Sequence, residues 1–309
     1  MPSPTTGRIR ILALSGGGIR GLLAAQALDF VEQTLGKPIW QCFDLVCGTS
    51  TGALMALALT KPGPLSAQQC AKLYWDYGRQ IFSRSPWRAF HSANAMVSPK
   101  YDGVGFQQAL KTVFASQTLE DALQATLAIS YCLDTRQPVL HRSWHPPPSQ
   151  RHLRDVAMAS AAAPTYFPPA QLNQQWHVDG GTVCNNPSLT GLIEACKLYG
   201  AHTRDCVVLS VGTGLCKTNI RPKSALGWGK IGWVSPLIDI MLDGVPDLTD
   251  QQMKDLMPDG QYLHLESAIS ADLSALDNWN SANLGRLEAI GKKVIDSQKR
   301  SLLAILQQL

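Results

Sequence analysis

The chain has 309 residues, 45% of them hydrophobic and 16% charged, with a formal net charge of +4. That is enough for one large domain with a full core, or two at most, and too apolar for a disordered protein. The basic residues form no block, which weighs against nucleic-acid binding, and no run approaches the roughly 18 consecutive apolar residues of a membrane span.

In chain order, Arg8–Leu14 has the length of a buried strand, and Gly21–Leu35 has helical spacing that ends at Gly36. Asp44–Cys47 reads as a second buried strand, and Thr51–Leu59 as a helix stopped by Lys61-Pro62. Thr126–Leu133 and Pro138–His141 read as further strands, and His145–Pro148 with the polar residues after it as an exposed loop. Leu153–Ala163 reads as an Ala-rich helix ending at Pro164. Trp176–Val178 is a short strand, Ser188–Tyr199 a helix, Cys206–Val211 another buried strand, and Tyr262–Leu265 a strand. An amphipathic helix near Leu284–Leu306 closes the chain. Strands alternating with helices predict an α/β fold with a mostly parallel sheet covered on both faces. The start, MPSPTTGRIRILAL, lacks the apolar stretch of a signal peptide, so a cytoplasmic protein is expected. Cys42, Cys47, Cys70, Cys132, Cys184, Cys196, Cys206 and Cys216 show no CxxC and fit reduced thiols better than disulfides or zinc. No metal-ligand cluster is visible.

Leu14 to Gly21, LSGGGIRG, follows a strand and opens a helix. Gly16, Gly18 and Gly21 match the dinucleotide fingerprint G-x-G-x-x-G, which also wants an acidic residue about 20 positions on, at the end of the second strand. Asp44 has the distance but begins that strand, so a nicotinamide-type oxidoreductase rests on the glycines alone. The same glycines serve equally well as oxyanion donors: they leave backbone N–H groups uncovered at a helix N-terminus, where the helix dipole adds positive charge. Arg20 either adds charge to that site or pairs with a nearby carboxylate.

Gly48-Thr49-Ser50-Thr51-Gly52 fits G-x-S-x-G between a strand and a helix. The sharp turn leaves the serine at its apex and presses the flanking residues together, so they must be small. Ser50 is thereby the candidate nucleophile. None of the histidines after it (His91, His141, His145, His152, His177, His202, His264) lies in a glycine-flanked loop at a clear strand end. Asp179-Gly180-Gly181 does follow a short strand, and its carboxylate is placed to take the serine proton if burial raises its pKa; a plain turn is the other reading.

Together these residues resemble the patatin-like phospholipase family. Secondary markers carry the resemblance further: Ala159 to Pro169 (ASAAAPTYFPP), Asn185-Asn186-Pro187, and Ser210-Val211-Gly212-Thr213-Gly214. The match runs from about Arg8 to Gly214 and weakens beyond. The resemblance implies a three-layer α/β/α fold with a mostly parallel central sheet. It implies a single domain over 1–309, with a motif-bearing core at about 8–214 and a helical C-terminal part at 215–309. It implies a Ser50–Asp179 dyad without histidine, cofactor or metal. Gly16, Gly17 and Gly18 become oxyanion donors, and Arg20, Gly21, Gly48, Gly52, Gly180 and Gly181 support the motifs. The implied activity is hydrolysis of fatty-acyl esters of membrane phospholipids, by a cytoplasmic protein peripheral to the inner membrane when active. Small bacterial proteins of this type resemble either secreted or injected lipases or anti-phage effectors switched on by cyclic oligonucleotides, and the intracellular composition leans to the second. Arg79, Arg84, Arg88 and Lys100 are candidates to meet such an activator, or are solvated surface. A general lipid esterase without nucleotide control and a non-catalytic lipid-binding protein are the alternatives. Segments Tyr74–Phe90 and Trp228–Val245 interleave aromatic, basic and apolar residues, as either an interfacial lid or core packing.

Overall fold

The computed structural model describes residues 7–83, 98–145, 151–216 and 225–309. Its elements, in chain order, are β1 (Ile9–Leu14), α1 (Gly21–Leu35), α2 (Ile39–Cys42), β2 (Leu45–Thr49), α3 (Thr51–Thr60), α4 (Ala67–Ile81) and α5 (Val104–Phe114). There follow β3 (Ala125–Cys132), β4 (Gln137–Arg142), α6 (Leu153–Ala161), β5 (Ala170–Leu172), β6 (Gln175–Asp179), α7 (Ser188–Tyr199) and β7 (Cys206–Val211). The C-terminal part adds α8 (Lys230–Leu256), β8 (Tyr262–Leu265) and α9 (Ser281–Leu306).

Among the described residues the strands form one eight-stranded sheet in the order β5-β6-β3-β2-β1-β7-β8, with β4 also paired to β3. The run β3-β2-β1-β7-β8 is parallel, while β4, β5 and β6 join antiparallel. The sheet is therefore parallel where βα units build it and antiparallel at one side, where hairpin-length connections return the chain. Alternate residues of the central strands supply two cores, as the period of two requires. Leu12, Leu14, Val46, Ala128 and Leu209 face α1, α3, α4, α5, α6 and α9. Ile9, Ile11, Leu45, Leu127 and Val208 face α7 and the end of α8, through Leu192, Ala195, Met253 and Met257. Helices thus cover both faces, which makes three layers.

The loop expected from His145 to Pro148 lies outside the described residues beyond His145. Segment Tyr74–Phe90 is in part the helix α4, with an N-terminal capping box between Ser66 and Gln69. Its Trp75 is exposed and donates its ring N–H to Glu288 on α9 at 2.9 Å; Arg84, Trp87 and Arg88 lie outside the described residues. Segment Trp228–Val245 opens α8, where Trp228 and Trp233 pack edge to face at 5.3 Å and Leu237 and Ile240 are exposed. Among the described residues no helix is long and apolar enough to cross a membrane.

The turn from β2 to α3 is built by close approach. A Cβ on Gly48 would stand 2.2 Å from the Gly52 carbonyl oxygen, and one on Gly52 would stand 2.1 Å from the Leu14 carbonyl oxygen. Both obstacles are backbone, so neither can swing aside. Gly52→Ala is expected to destabilise the fold by about 3 kcal/mol, the upper end for overpacking. Urea denaturation checks this, and an unchanged midpoint would contradict the packing.

Candidate active site

Ser50 sits between β2 and α3 with φ 54° and ψ −126°, a conformation a non-glycine residue adopts only when its surroundings impose it. Its backbone N–H donates to Ser160 Oγ at 3.1 Å, and Ser160 Oγ in turn donates to the Ile129 carbonyl at 2.5 Å. The side chain is thereby aimed at β6. Ser50 Oγ donates to Asp179 Oδ2 at 2.6 Å, across 129 positions of sequence.

Asp179 ends β6, and its other carboxylate oxygen accepts the Gly181 N–H at 2.7 Å. Its backbone is tied to β3, where Ser130 is its register partner, and to the Ala162 carbonyl at 3.0 Å. Burial pushes the Asp179 carboxyl up to about 6; the hydrogen bonds from Ser50 and Gly181 oppose that rise without cancelling it. The result is a carboxylate close to neutrality, more basic than a solvated one and held on a hydroxyl.

The glycine loop faces the same serine. Gly17, Gly18, Ser50 and Asp179 together line the head of a cavity of about 230 Å³. Gly16 does not join them: its N–H donates to the Asn185 carbonyl at 3.1 Å. Of the three expected donors, the Gly16 amide is thus engaged in anchoring the loop, and those of Gly17 and Gly18 remain the candidates. Among the described residues the N–H groups of Gly17 and Gly18 meet no backbone acceptor, whereas the Ile19 N–H donates to the Leu276 carbonyl at 2.8 Å. Arg20 is buried, and its guanidinium donates to the carbonyls of Gly17 at 3.3 Å and Gly214 at 3.1 Å. It holds the loop in shape by its carbonyls and is not among the residues lining the cavity. Thr213 Oγ donates to the Gly16 carbonyl at 2.6 Å. Gly21 lies against Tyr74 and Thr51, and Gly180 against the Ile129 carbonyl, both too close for a side chain.

The dinucleotide reading loses its acidic residue here. Both Asp44 oxygens are taken by Arg10, at 2.8 Å from Nη2 and 3.0 Å from Nε, in a bidentate pair near the start of β1. The histidines also find other work. Ser130 Oγ bridges His141 Nε2 at 2.8 Å and His177 Nδ1 at 2.9 Å, and burial pushes His141 down to about 3. His264 lies beside Ser210 Oγ at 2.9 Å. Among the described residues no histidine lines the cavity.

Ser160, Asn185 and Thr213 were visible only as letters inside the secondary markers. Their roles depend on which carbonyl or amide lies opposite, and sequence spacing carries no such signal. Leu276 had no motif at all.

Below Ser50 the cavity is apolar. Thr51, Leu54, Met55 and Ala58 line it from one face of α3, a descent of about 12 Å from the serine at 1.5 Å per residue. The opposite walls come from α4 and α5, and Ala58, Cys70 and Phe114 at the far end are almost fully buried.

The raised carboxyl has a consequence for stability. Asp179 binds its proton more tightly in the folded chain (about 6) than at its ordinary value of 3.8. Stability therefore falls as pH rises through that window, and the full deficit stands above pH 6. Asp179→Asn is expected to be more stable than the parent at pH 8 by on the order of 2–3 kcal/mol, and so to melt at a higher temperature. The gap should close below pH 4. Thermal melts across this range check it; a variant less stable than the parent at pH 8 would contradict the burial argument.

A family model described as patatin-like phospholipase matches residues 12–191. The chain is 33% identical over 277 residues to a protein named cGAMP-activated phospholipase from Pseudomonas aeruginosa, covering 86% of this chain and 82% of that one. It is 27% identical over 336 residues to patatin-like protein 1 of Oryza sativa subsp. indica, covering 93% of this chain and 81% of the relative. The crystal structure of VipD from Legionella pneumophila is similar with a TM-score of 0.49 and 12% identity, over 94% of this chain and 67% of that one.

Proposed function

The chain belongs to the patatin-like phospholipase family, and from that premise we propose that it is a serine acyl hydrolase cleaving fatty-acyl esters of membrane phospholipids with a Ser50–Asp179 dyad. The observation that carries the reading is the 2.6 Å hydrogen bond from Ser50 Oγ to Asp179 Oδ2 at the head of an apolar cavity. A non-catalytic lipid-binding protein has no use for a buried carboxylate pressed on a strained serine.

The reaction follows from the geometry in two halves. Asp179 takes the hydroxyl proton as Ser50 Oγ bonds to the ester carbonyl carbon, and the carbonyl π pair moves onto oxygen. Gly17 and Gly18 N–H groups hold that oxyanion, a contribution of about 10²–10³ in rate per donor. Collapse breaks the bond to the lysolipid oxygen, which leaves with the proton from Asp179. Water then attacks the acyl-serine as Asp179 takes a proton from it, the Ser50 oxygen departs and is reprotonated, and the fatty acid is released. The acyl chain lies along α3 from Thr51 to Ala58 during both halves.

A fluorophosphonate probe should label the protein at Ser50 alone, and Ser50→Ala should abolish both labelling and hydrolysis. Asp179→Asn should reduce kcat by at least about 10³, since it removes the carboxylate that accepts from Ser50 Oγ. An Asp179→Asn enzyme within tenfold of the parent would exclude the dyad. Because the base must be ionised, kcat/KM for the parent should rise with pH up to about 6 and level off above it; a profile falling between pH 5 and 7 would count against Asp179.

A second reading concerns control. The relative named cGAMP-activated phospholipase, at 33% identity, supports activation of this chain by a cyclic oligonucleotide, in keeping with a role in anti-phage defence. Of the four cationic candidates, Arg79 is exposed on α4, Lys100 is engaged with Asp277, and Arg84 and Arg88 lie outside the described residues. Phospholipid hydrolysis should rise at least tenfold with cyclic GMP–AMP; full activity without any nucleotide would leave a constitutive lipid esterase.

A further inference from the structure

Residues 274–280 join a short helical turn to α9 outside any regular element and reach the cavity through Leu276. Leu276 lines the cavity with Ser50 and Gly18, and its carbonyl takes the Ile19 N–H at 2.8 Å. That amide is next to the two that hold the oxyanion in the proposed reaction. One residue on, the Asp277 carboxylate accepts the Tyr101 hydroxyl at 2.6 Å and is ion-paired with Lys100 Nζ. The Asp277 side chain is 9% exposed and that of Lys100 36%.

The two donors stand directly behind residues that line the cavity. The Tyr101 ring packs on Phe82 at 5.5 Å and Phe167 at 5.6 Å, both of which line the cavity. Lys100 Nζ stands 5.6 Å from the Tyr101 ring and 5.5 Å from that of Tyr166. Backbone bonds from Lys100 N to Thr165 O and from Tyr101 N to Tyr166 O, each 2.8 Å, fix both residues to the marker segment before the catalytic aspartate. An ammonium and a phenol thus converge on one anion, one residue from Leu276 of the cavity lining. A solvated ion pair is worth little; this one is mostly withdrawn from water, and its geometry has a chemical counterpart. The Leu276 carbonyl and the Asp277 carboxylate are separated along the chain by nearly as many bonds as the secondary ester carbonyl and the phosphorus of a glycerophospholipid. The leucine places an apolar group at the channel, the carbonyl sits on the oxyanion loop, and the carboxylate sits on Lys100 and Tyr101.

We propose that Lys100 and Tyr101 form a subsite for the phosphate group of the lipid substrate, and that Leu276 and Asp277 hold the ester and phosphate positions until a lipid displaces them. This rests on the acyl-hydrolase reading of Ser50 and specifies which headgroup element the site recognises. Charge decides the exchange: a phosphodiester offers Lys100 the same single negative charge as the carboxylate, with more acceptor oxygens. Substrate binding therefore competes with an internal ligand at high effective concentration. Loss of the Asp277 carboxylate should tighten lipid binding, whereas loss of Lys100 should remove the discrimination in favour of phosphate.

The test reads binding without turnover, in a Ser50→Ala background, by calorimetric titration with dihexanoylphosphatidylcholine below its micellar concentration and with neutral dihexanoylglycerol. Asp277→Ala is expected to tighten the phospholipid about tenfold, and adding Lys100→Met to it to lower the preference for phospholipid over neutral lipid by about tenfold. Asp277→Asn, which keeps the shape of the side chain, serves if the alanine variant fails to fold. The proposal is overturned if Asp277 variants bind the phospholipid no more tightly, or if the preference is the same with lysine or methionine at position 100. Inorganic phosphate that displaces the lipid from the Asp277→Ala protein supports a subsite for the phosphate group itself. Failure to displace it, with the preference intact, supports one that reads phosphate only when tethered to lipid. Failure of the hydrolase reading would show separately, as absence of fluorophosphonate labelling in the parent protein.

Discussion

The site depends on one short hydrogen bond between residues that the chain delivers from opposite directions. Ser50 arrives at the end of a parallel strand, and Asp179 at the end of an antiparallel one. What sets their separation is β3, which pairs with both strands. Ile129 is the register partner of Thr49, and the next residue, Ser130, is the partner of Asp179. The Ile129 carbonyl also accepts from Ser160, which holds the Ser50 amide, and limits the approach of Gly180. A slip of one residue in β3 would move both members of the dyad and turn its side chains to the wrong face. The strain at Ser50, about 1–3 kcal/mol for such a backbone, is sustained because glycines at 48 and 52, the Ser160 hydroxyl and an α3 buried everywhere but at Leu54 leave it no alternative.

Burial then does two things at once. An aspartate in water is too weak a base to serve a hydroxyl near neutral pH; desolvation brings Asp179 to about 6. The apolar walls that cause the desolvation are the same ones that would hold an acyl chain in the proposed reaction. The nearby histidines are engaged elsewhere: His141 on β4 and His177 within β6 are both held on Ser130, where burial keeps His141 neutral. In the proposed reaction the apolar environment is what would let two residues suffice.

Much of this could be read from the chain because it rests on steric rules. The limits of α1, α7, β7 and β8 follow the apolar spacing and the helix-stopping glycines at 36 and 200 to the residue. The elbow and the Asp-Gly-Gly corner were legible because backbone approach forbids a Cβ there. The stretch from Ala67 to Phe114 was not. Its helices α4 and α5 turn apolar and aromatic residues toward a cavity, and such a pattern cannot be told from an interfacial surface by composition. The three-residue β5 is too short to show a period. The engagement of the Gly16 amide was hidden for a different reason: three adjacent glycines are identical as letters, and only the Asn185 carbonyl opposite the first distinguishes them.

Gly18 draws the two halves of the site together. Its φ of +56° excludes most side chains, and a Cβ there would stand 2.3 Å from the Leu276 carbonyl oxygen. The bare peptide is therefore required by the strap as well as by an oxyanion. A surface made of exposed amides beside an apolar slot and a cation accepts whatever presents a carbonyl, an apolar branch and an anion in that order. The chain itself presents such a sequence at Leu276–Asp277, pinned by the Asn280 cap of α9 on one side and by a short helical turn on the other. The strap is short and lacks regular hydrogen bonding of its own, so it is held mainly by what it borrows from the site. In the proposed exchange its hold on the site and the site's affinity for a lipid are the same contacts counted against each other. Weakening those contacts for one weakens them for the other, which is why the carboxylate of Asp277, belonging to the strap alone, is the group through which the balance can be altered.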